Sequence, residues 1–121
     1  MDPRHIVGLQ GEYFAERWLA KQGLRIVDRH YWTRFGEIDL IARDGDTWVF
    51  IEVKTRRKTW AVSALDAVTP AKQRRLAFAA YFYIRHKRLT GCRFRFDTFS
   101  LEAGVTHWIP NAFEAPAHWT L

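Results

Sequence analysis

The chain has 121 residues, 48% of them hydrophobic and 16% aromatic, which is enough apolar surface for one compact domain and excludes a disordered chain. Lysine and arginine number 19 against 13 aspartates and glutamates, and this net charge of +6 favours a polyanionic partner, nucleic acid before a membrane. The single cysteine excludes an intramolecular disulfide and a multi-thiolate zinc site. Without a signal peptide or a membrane-length apolar run, a cytoplasmic protein is expected.

The first predicted element is a helix over about Ile6 to Gln22, where apolar residues recur near helical spacing and Gly23 marks the end. Gly8 and Gly11 each weaken this helix by about 1 kcal/mol relative to alanine. Glycine is tolerated inside a helix where another segment packs closely against the backbone. Glu12 follows Gly11 directly and would share that close approach.

Three strands are predicted next, over Leu24 to Tyr31, Glu37 to Ala42 and Trp48 to Lys54. The second and third flank Asp44-Gly45-Asp46-Thr47, a strong turn signal, and together they predict a hairpin. One face of these two strands is predicted to be strongly apolar, which favours a central position in the sheet over a solvated edge. Its residues are Ile38, Leu40, Ile51 and Val53.

A second helix is predicted from about Pro70 to Lys87, with Pro70 suited to its first turn. An alternating run from Phe94 to Leu101 predicts a further strand, and Gly104 allows a last hairpin into Val105–Ile109. The order αβββαβ, with this additional C-terminal strand, predicts an α/β fold with a central mixed β-sheet flanked by helices.

The register of the hairpin decides whether two acidic residues meet. If Asp44 to Thr47 form a four-residue loop, Arg43 faces Trp48 and Asp39 lies directly opposite Glu52. A two-residue Asp-Gly turn would leave the two acids on one face but diagonal, and a three-residue loop would separate them. The parity favours convergence.

Facing carboxylates repel one another, and partly buried acids are costly without a partner. A hard divalent cation such as Mg²⁺, with Lys54 nearby, would offset this cost. The backbone carbonyl of Val53 could complete the metal shell, and such a site can hydrolyse a phosphodiester bond. The alternative is a solvated strand face, because a Glu-x-Lys triplet such as Glu52-Val53-Lys54 is common there. The five histidines show no metal-ligand spacing and are expected to be surface or half-buried residues.

Five motifs follow one another along the chain: Gly11-Glu12, Gly36–Ala42, Phe50–Arg56, Arg95-Phe96-Asp97 and Pro110–Phe113. In order and spacing they resemble the YraN family, which is related to the restriction endonuclease-like, or PD-(D/E)XK, nucleases and is similar to archaeal Holliday junction resolvases. The resemblance implies a single restriction endonuclease-like domain over residues 1–121. It also implies that Asp39 and Glu52 bind a metal, that Lys54 is the catalytic lysine, and that Glu12 is a helix-borne carboxylate reaching the same metal.

Two groups of residues are predicted to contact nucleic acid: Arg56, Arg57 and Lys58 after the third strand, and Lys72, Gln73 and Arg75 at the start of the second helix. Family members commonly carry a Phe-Gly pair shortly after the lysine motif, whereas residues 57–63 contain no glycine. This departure leaves the shape of that loop and its DNA contacts open.

The expected function is a Mg²⁺- or Mn²⁺-dependent endonuclease acting on DNA, including branched or flapped structures. The alternative is a non-catalytic nucleic-acid-binding or accessory protein that keeps the nuclease fold. No membrane partner is expected. A homodimer is a further expectation, because cleaving a duplex requires two strand scissions.

Overall fold

The computed structural model describes the backbone of residues 3–56 and 68–115 and the side chains of residues 10–55 and 68–115. Its elements are α1 (Pro3–Lys21), β1 (Arg25–Thr33), β2 (Gly36–Asp44), β3 (Thr47–Arg56), α2 (Pro70–His86), β4 (Arg93–Glu102) and β5 (Val105–Phe113). The predicted order is confirmed, including the last strand, which extends four residues beyond its expected end. Within the described residues, neither helix is both long and apolar enough to span a membrane.

The five strands form one mixed sheet in the order β1-β2-β3-β4-β5. The central strand β3 pairs antiparallel with β2 and parallel with β4, and the two outer pairs are antiparallel. Since parallel neighbours need a crossover connection, α2 lies in the segment that joins β3 to β4. The predicted α/β fold with a central mixed sheet is therefore confirmed, and it is consistent with a nuclease-like core.

The two helices cover opposite faces of the sheet. Consecutive residues of a strand point to opposite faces, and in β3 Phe50 packs in the cluster beneath α2 while Ile51 packs in the cluster beneath α1. Both side chains are fully buried. The apolar residues of β3 thus supply both halves of the core, which explains why this strand reads as an almost continuous hydrophobic run.

A buried carboxylate joins β4 to β5. Asp97 is fully buried and accepts hydrogen bonds from Arg95 Nε at 3.0 Å, Trp108 Nε1 at 3.0 Å and the backbone N–H of Asn111 at 2.9 Å. Arg95 also reaches Asp44 at 2.8 Å. The β4–β5 register shifts at this point, so Asp97 holds the irregular part of β5 in place. The fourth and fifth sequence motifs, Arg95-Phe96-Asp97 and Pro110–Phe113, therefore form one structural network.

At Gly11 the backbone of α1 comes close to the sheet. A Cβ atom at this position would lie 1.9 Å from Thr55 Oγ1 and 2.9 Å from Thr55 Cβ. The helix backbone therefore rests directly on β3, one residue beyond Lys54, and a side chain here would push it away. This contact accounts for a glycine in mid-helix and sets the distance between Glu12 and the sheet.

Gly11→Ala is expected to lower the free energy of unfolding by about 1–3 kcal/mol, because overpacking at Thr55 outweighs the roughly 1 kcal/mol gain in helix propensity. Chemical denaturation of the variant measures the loss. Thr55→Ala, which removes Oγ1 and Cγ2 but keeps Cβ, is the matched control and should recover part of the stability in the double variant. Equal losses in the single and double variants would contradict the contact.

Candidate metal centre

The register of the β2–β3 hairpin is the one predicted for a convergent acid pair. Arg43 faces Trp48, and the pairing runs from Asp44–Thr47 to Leu40–Ile51. Asp44 and Thr47 are themselves paired, so the loop has only two residues, Gly45 and Asp46. It is neither a four-residue loop over Asp44 to Thr47 nor a turn formed by Asp44 and Gly45. Gly45 has a φ of 59°, a conformation that glycine adopts without strain.

Asp39 lies where this backbone pairing stops. One residue beyond Leu40–Ile51, the Asp39 carboxylate accepts a hydrogen bond from the backbone N–H of Val53 at 2.8 Å. A side-chain oxygen here takes the role that a backbone carbonyl plays in a regular ladder. The Asp39 carboxylate is thereby held against β3, within the Glu52-Val53-Lys54 triplet.

The alternation of β2 also breaks at Asp39. The sequence places Ile38 on the face of Leu40, and this expectation is wrong: Ile38 packs with Ile41 in the cluster beneath α2. On β1, the residue between the partners of Leu40 and Ile38 is His30, whose φ of 50° lies in the left-handed region. Strict two-residue alternation holds only for a regular strand, and both strands are irregular at this point.

Burial and neighbouring charge make Asp39 an unusual acid. The pKa of Asp39 is raised to about 8, mainly by burial and then by the charge of Glu52, and the Val53 N–H bond lowers it only in part. Glu12 and Glu37 act in the same upward direction. Several carboxylates therefore share one small volume, and their mutual repulsion would be relieved by a bound cation.

Lys54 and Lys72 bring positive charge close to Glu52. Lys54 Nζ lies 2.9 Å from Glu52 Oε1. Burial lowers the pKa of Lys54, but the charge and hydrogen bond of Glu52 outweigh it and leave the pKa raised. The hydrogen bond and charge of Lys54 lower the pKa of Lys72. Lys54 is thus a fixed cation, suited to neutralising a phosphate rather than to accepting a proton.

A histidine that sequence reasoning passed over joins two of the acids. His30 Nε2 lies 2.9 Å from Glu12 Oε2, and His30 Nδ1 contacts Glu37 Oε1. The Glu37 hydrogen bond raises the pKa of His30 against the lowering effect of burial, with help from the charge of Glu12. The ligand atoms of Glu12, His30 and Glu37 lie within 4.8 Å of one another. No spacing in the sequence reveals this group, because its members come from α1, β1 and β2.

A cleft of about 200 Å³ opens beside Glu52. It is lined by Phe35, Gly36, Glu37, Glu52, Lys72, Arg75 and Leu76. Thr69 caps α2 by accepting a hydrogen bond from the Lys72 backbone N–H at 3.2 Å, which fixes the first turn of the helix at the cleft. A helix N-terminus and two basic side chains favour an anion in this space.

The remaining residues predicted to bind nucleic acid are placed as follows. Lys72 and Arg75 line the cleft. Gln73 donates its side-chain N–H to the Val68 carbonyl at 3.0 Å, so this donor is used within the protein. Arg57 and Lys58 lie outside the described residues, and Arg56 is described only as the end of β3. Their roles in binding stay predictions.

Comparison with known proteins places the same residues within a recognised family. The family model described as "Uncharacterised protein family UPF0102" matches residues 11–101. The chain belongs to the UPF0102 family. It is 43% identical to a UPF0102 protein of Herminiimonas arsenicoxydans over 93% of this chain and 90% of the relative. UPF0102 proteins of Shewanella woodyi and Chromohalobacter salexigens are 47% and 48% identical over 88% and 89% of this chain, and 90% of each relative.

The UPF0102 match confirms the resemblance to the YraN family. It begins at Gly11, the contact point of α1, and covers Glu12, Asp39, Glu52 and Lys54. The whole acid–lysine group therefore lies in the part of the chain that the family model describes. The family description names no activity, so the chemistry of the site rests on its geometry.

Asp39 is expected to make the metal-free UPF0102 chain less stable as the pH rises. Its folded pKa of about 8 exceeds the ordinary value near 4, so its favourable contribution is present below pH 4 and lost by pH 8. Asp39→Asn removes this pH dependence. In EDTA, the free energy of unfolding of the variant minus that of the wild type should be about 1–3 kcal/mol larger at pH 8.5 than at pH 5. Denaturation at both pH values measures the difference.

Asp46→Asn, at the exposed turn of the same hairpin, is the matched control and should show no such pH-dependent difference. An Asp39→Asn variant whose stability relative to the wild type is the same at pH 5 and pH 8.5 would contradict the raised pKa.

Proposed function

We propose that this protein is a Mg²⁺- or Mn²⁺-dependent endonuclease that hydrolyses phosphodiester bonds in DNA, including branched or flapped DNA. The observation that carries the proposal is the Asp39 carboxylate, buried against Glu52 and held by the Val53 N–H. These carboxylates lie close together although burial and mutual repulsion disfavour it, and their oxygens are the ligands that Mg²⁺ and Mn²⁺ prefer. The UPF0102 family model covers these residues and names no reaction.

Asp39 and Glu52 would hold the metal, with the Val53 carbonyl and Glu12 as further oxygen donors. A divalent ion bound there supplies an activated water and neutralises charge on the scissile phosphate. His30 contacts both Glu12 and Glu37, so it fixes the helix-borne carboxylate relative to the sheet. Such contacts matter because the affinity of a site for its metal depends on the groups that hold each metal-binding side chain in position.

Lys54 would stabilise the negative charge that develops on the phosphate. Its raised pKa keeps it protonated, and Glu52 orients its ammonium group at 2.9 Å. Lys72 and Arg75, across the cleft, would bind the flanking phosphates of the strand. The cleft thus places cations around a carboxylate cluster, the arrangement that a polyanionic substrate of a metal-dependent hydrolase requires.

The purified protein should cleave branched, flapped and single-stranded DNA in Mn²⁺ and not in EDTA. Asp39→Asn is expected to lower the cleavage rate at least about a hundredfold, since metal stabilisation of the transition state contributes several kcal/mol. Asp46→Asn keeps the change of charge but lies at the far end of the hairpin, and it should cleave like the wild type. Equal cleavage by wild type and Asp39→Asn would refute the proposed activity.

A non-catalytic nucleic-acid-binding or accessory protein is the second candidate. The observation that favours it is that protein cations already contact two of the acids: Lys54 contacts Glu52 and His30 contacts Glu12. Salt-sensitive DNA binding that neither EDTA nor Lys54→Ala changes, without cleavage of any tested DNA, would support this function instead.

A further inference from the structure

A cluster of aromatic rings lies at the rim of the cleft, and we name it the rim cluster: Arg34, Phe35, Phe78 and Phe82. Phe35 stacks on Phe78 with ring centroids 5.0 Å apart and an angle of 25°, and lies 5.3 Å from Phe82. Phe78 and Phe82 are four residues apart on α2 and therefore share one helix face. Each is 38% exposed, so part of each ring remains accessible at the surface.

The position of Phe35 is fixed by the β1–β2 turn. The Thr33 hydroxyl accepts a hydrogen bond from the Phe35 N–H at 3.1 Å and donates one to the Gly36 carbonyl at 2.9 Å. Gly36 has a φ of 137°, which favours glycine. The ring is thus preorganised at the surface, so little conformational entropy would be lost when a partner binds it.

The rim cluster is positively charged as well as aromatic. The Arg34 guanidinium lies 5.1 Å from the Phe35 ring and 5.4 Å from the Phe82 ring, within the range of cation–π contacts. Phe35 also lines the cleft together with Lys72 and Arg75. Phe35 therefore joins the rim cluster to the basic residues of the cleft.

We propose that the rim cluster is a stacking site for unpaired nucleobases next to the phosphate held in the cleft. This rests on the proposed function, because it takes the cleft as the place of the phosphate. Unpaired bases present π-faces to aromatic side chains, while the phosphates between them meet arginine and lysine. In a duplex the bases are stacked on one another and offer no free face. The substrate class that fits is DNA with single-stranded nucleotides beside the cleaved bond.

Binding can be measured without cleavage, by fluorescence anisotropy in EDTA. Three labelled DNAs are compared: a single strand, the same strand with abasic sites, and a blunt duplex. A length of about 12 nucleotides or base pairs suits the site sizes of proteins that bind single-stranded DNA. The wild type should bind the single strand about tenfold or more tightly than the abasic strand, since each stacked base contributes a factor of this order.

Phe78→Ala/Phe82→Ala should remove most of this base-dependent gain and leave duplex affinity unchanged. Phe78→Leu/Phe82→Leu keeps an apolar surface but no ring, so it should show the same loss while preserving the fold, checked by thermal unfolding. Tyr13→Ala removes an aromatic side chain that is 63% exposed on α1, on the opposite face of the sheet, and should bind like the wild type.

Unchanged single-strand affinity in both phenylalanine variants would overturn the stacking site. An equal loss for single strand, abasic strand and duplex would also overturn it, because the effect would not depend on bases. A base-dependent loss supports the stacking site even if the wild type cleaves no DNA. The stacking site and the proposed activity therefore fail separately.

Discussion

The hydrogen bond from the Val53 N–H to the Asp39 carboxylate is the constraint on which the geometry of the site depends. It lies where the β2–β3 pairing ends, so a backbone N–H of the hairpin donates to a side chain and not to a backbone carbonyl. This fixes an acid against β3 beside Glu52, in surroundings that raise its pKa to about 8. A fold under selection for stability alone would replace such a group, because buried unpaired charge is costly.

The rest of the molecule is arranged around this point. Gly11 lets the α1 backbone rest on Thr55, which brings Glu12 to the same end of β3. The Thr69 cap starts α2 so that Lys72 faces the cleft. Far from the site, the Asp97 network secures the irregular pairing of β4 with β5. Two helices and a central strand thus converge on one small volume that carries both charges.

Much of this follows from the sequence because it depends on local patterns. The apolar runs of β2 and β3 and the Asp-Gly-Asp turn between them predict the hairpin. They favour the registers that bring Asp39 near Glu52, but they leave the length of the loop open. Gly11 beside Glu12 predicts a close approach of the helix. The five sequence motifs indicate the family, and comparison with known proteins confirms it.

Other features depend on long-range contacts that no local pattern contains. His30 joins acids from α1 and β2 while its own backbone is left-handed, which its sequence neighbours do not indicate. Ile38 lies on the unexpected face because the strand is irregular at Asp39. Phe78 and Phe82 both contact Phe35 and stay partly exposed, which the helical spacing of α2 does not predict. Only the turn that positions Phe35 makes a surface cluster of them.

The central claim is that Asp39 and Glu52 form a divalent cation site. The most direct measurement is the melting temperature during a Mn²⁺ titration of wild type, Asp39→Asn and Glu52→Gln. A ligand that binds only the folded state stabilises it by an amount that grows with the logarithm of the ligand concentration, about 2.7 kcal/mol at a hundredfold excess over Kd. The melting temperature of the wild type should therefore rise with Mn²⁺ and that of both variants should not. Equal rises in all three proteins would contradict the site.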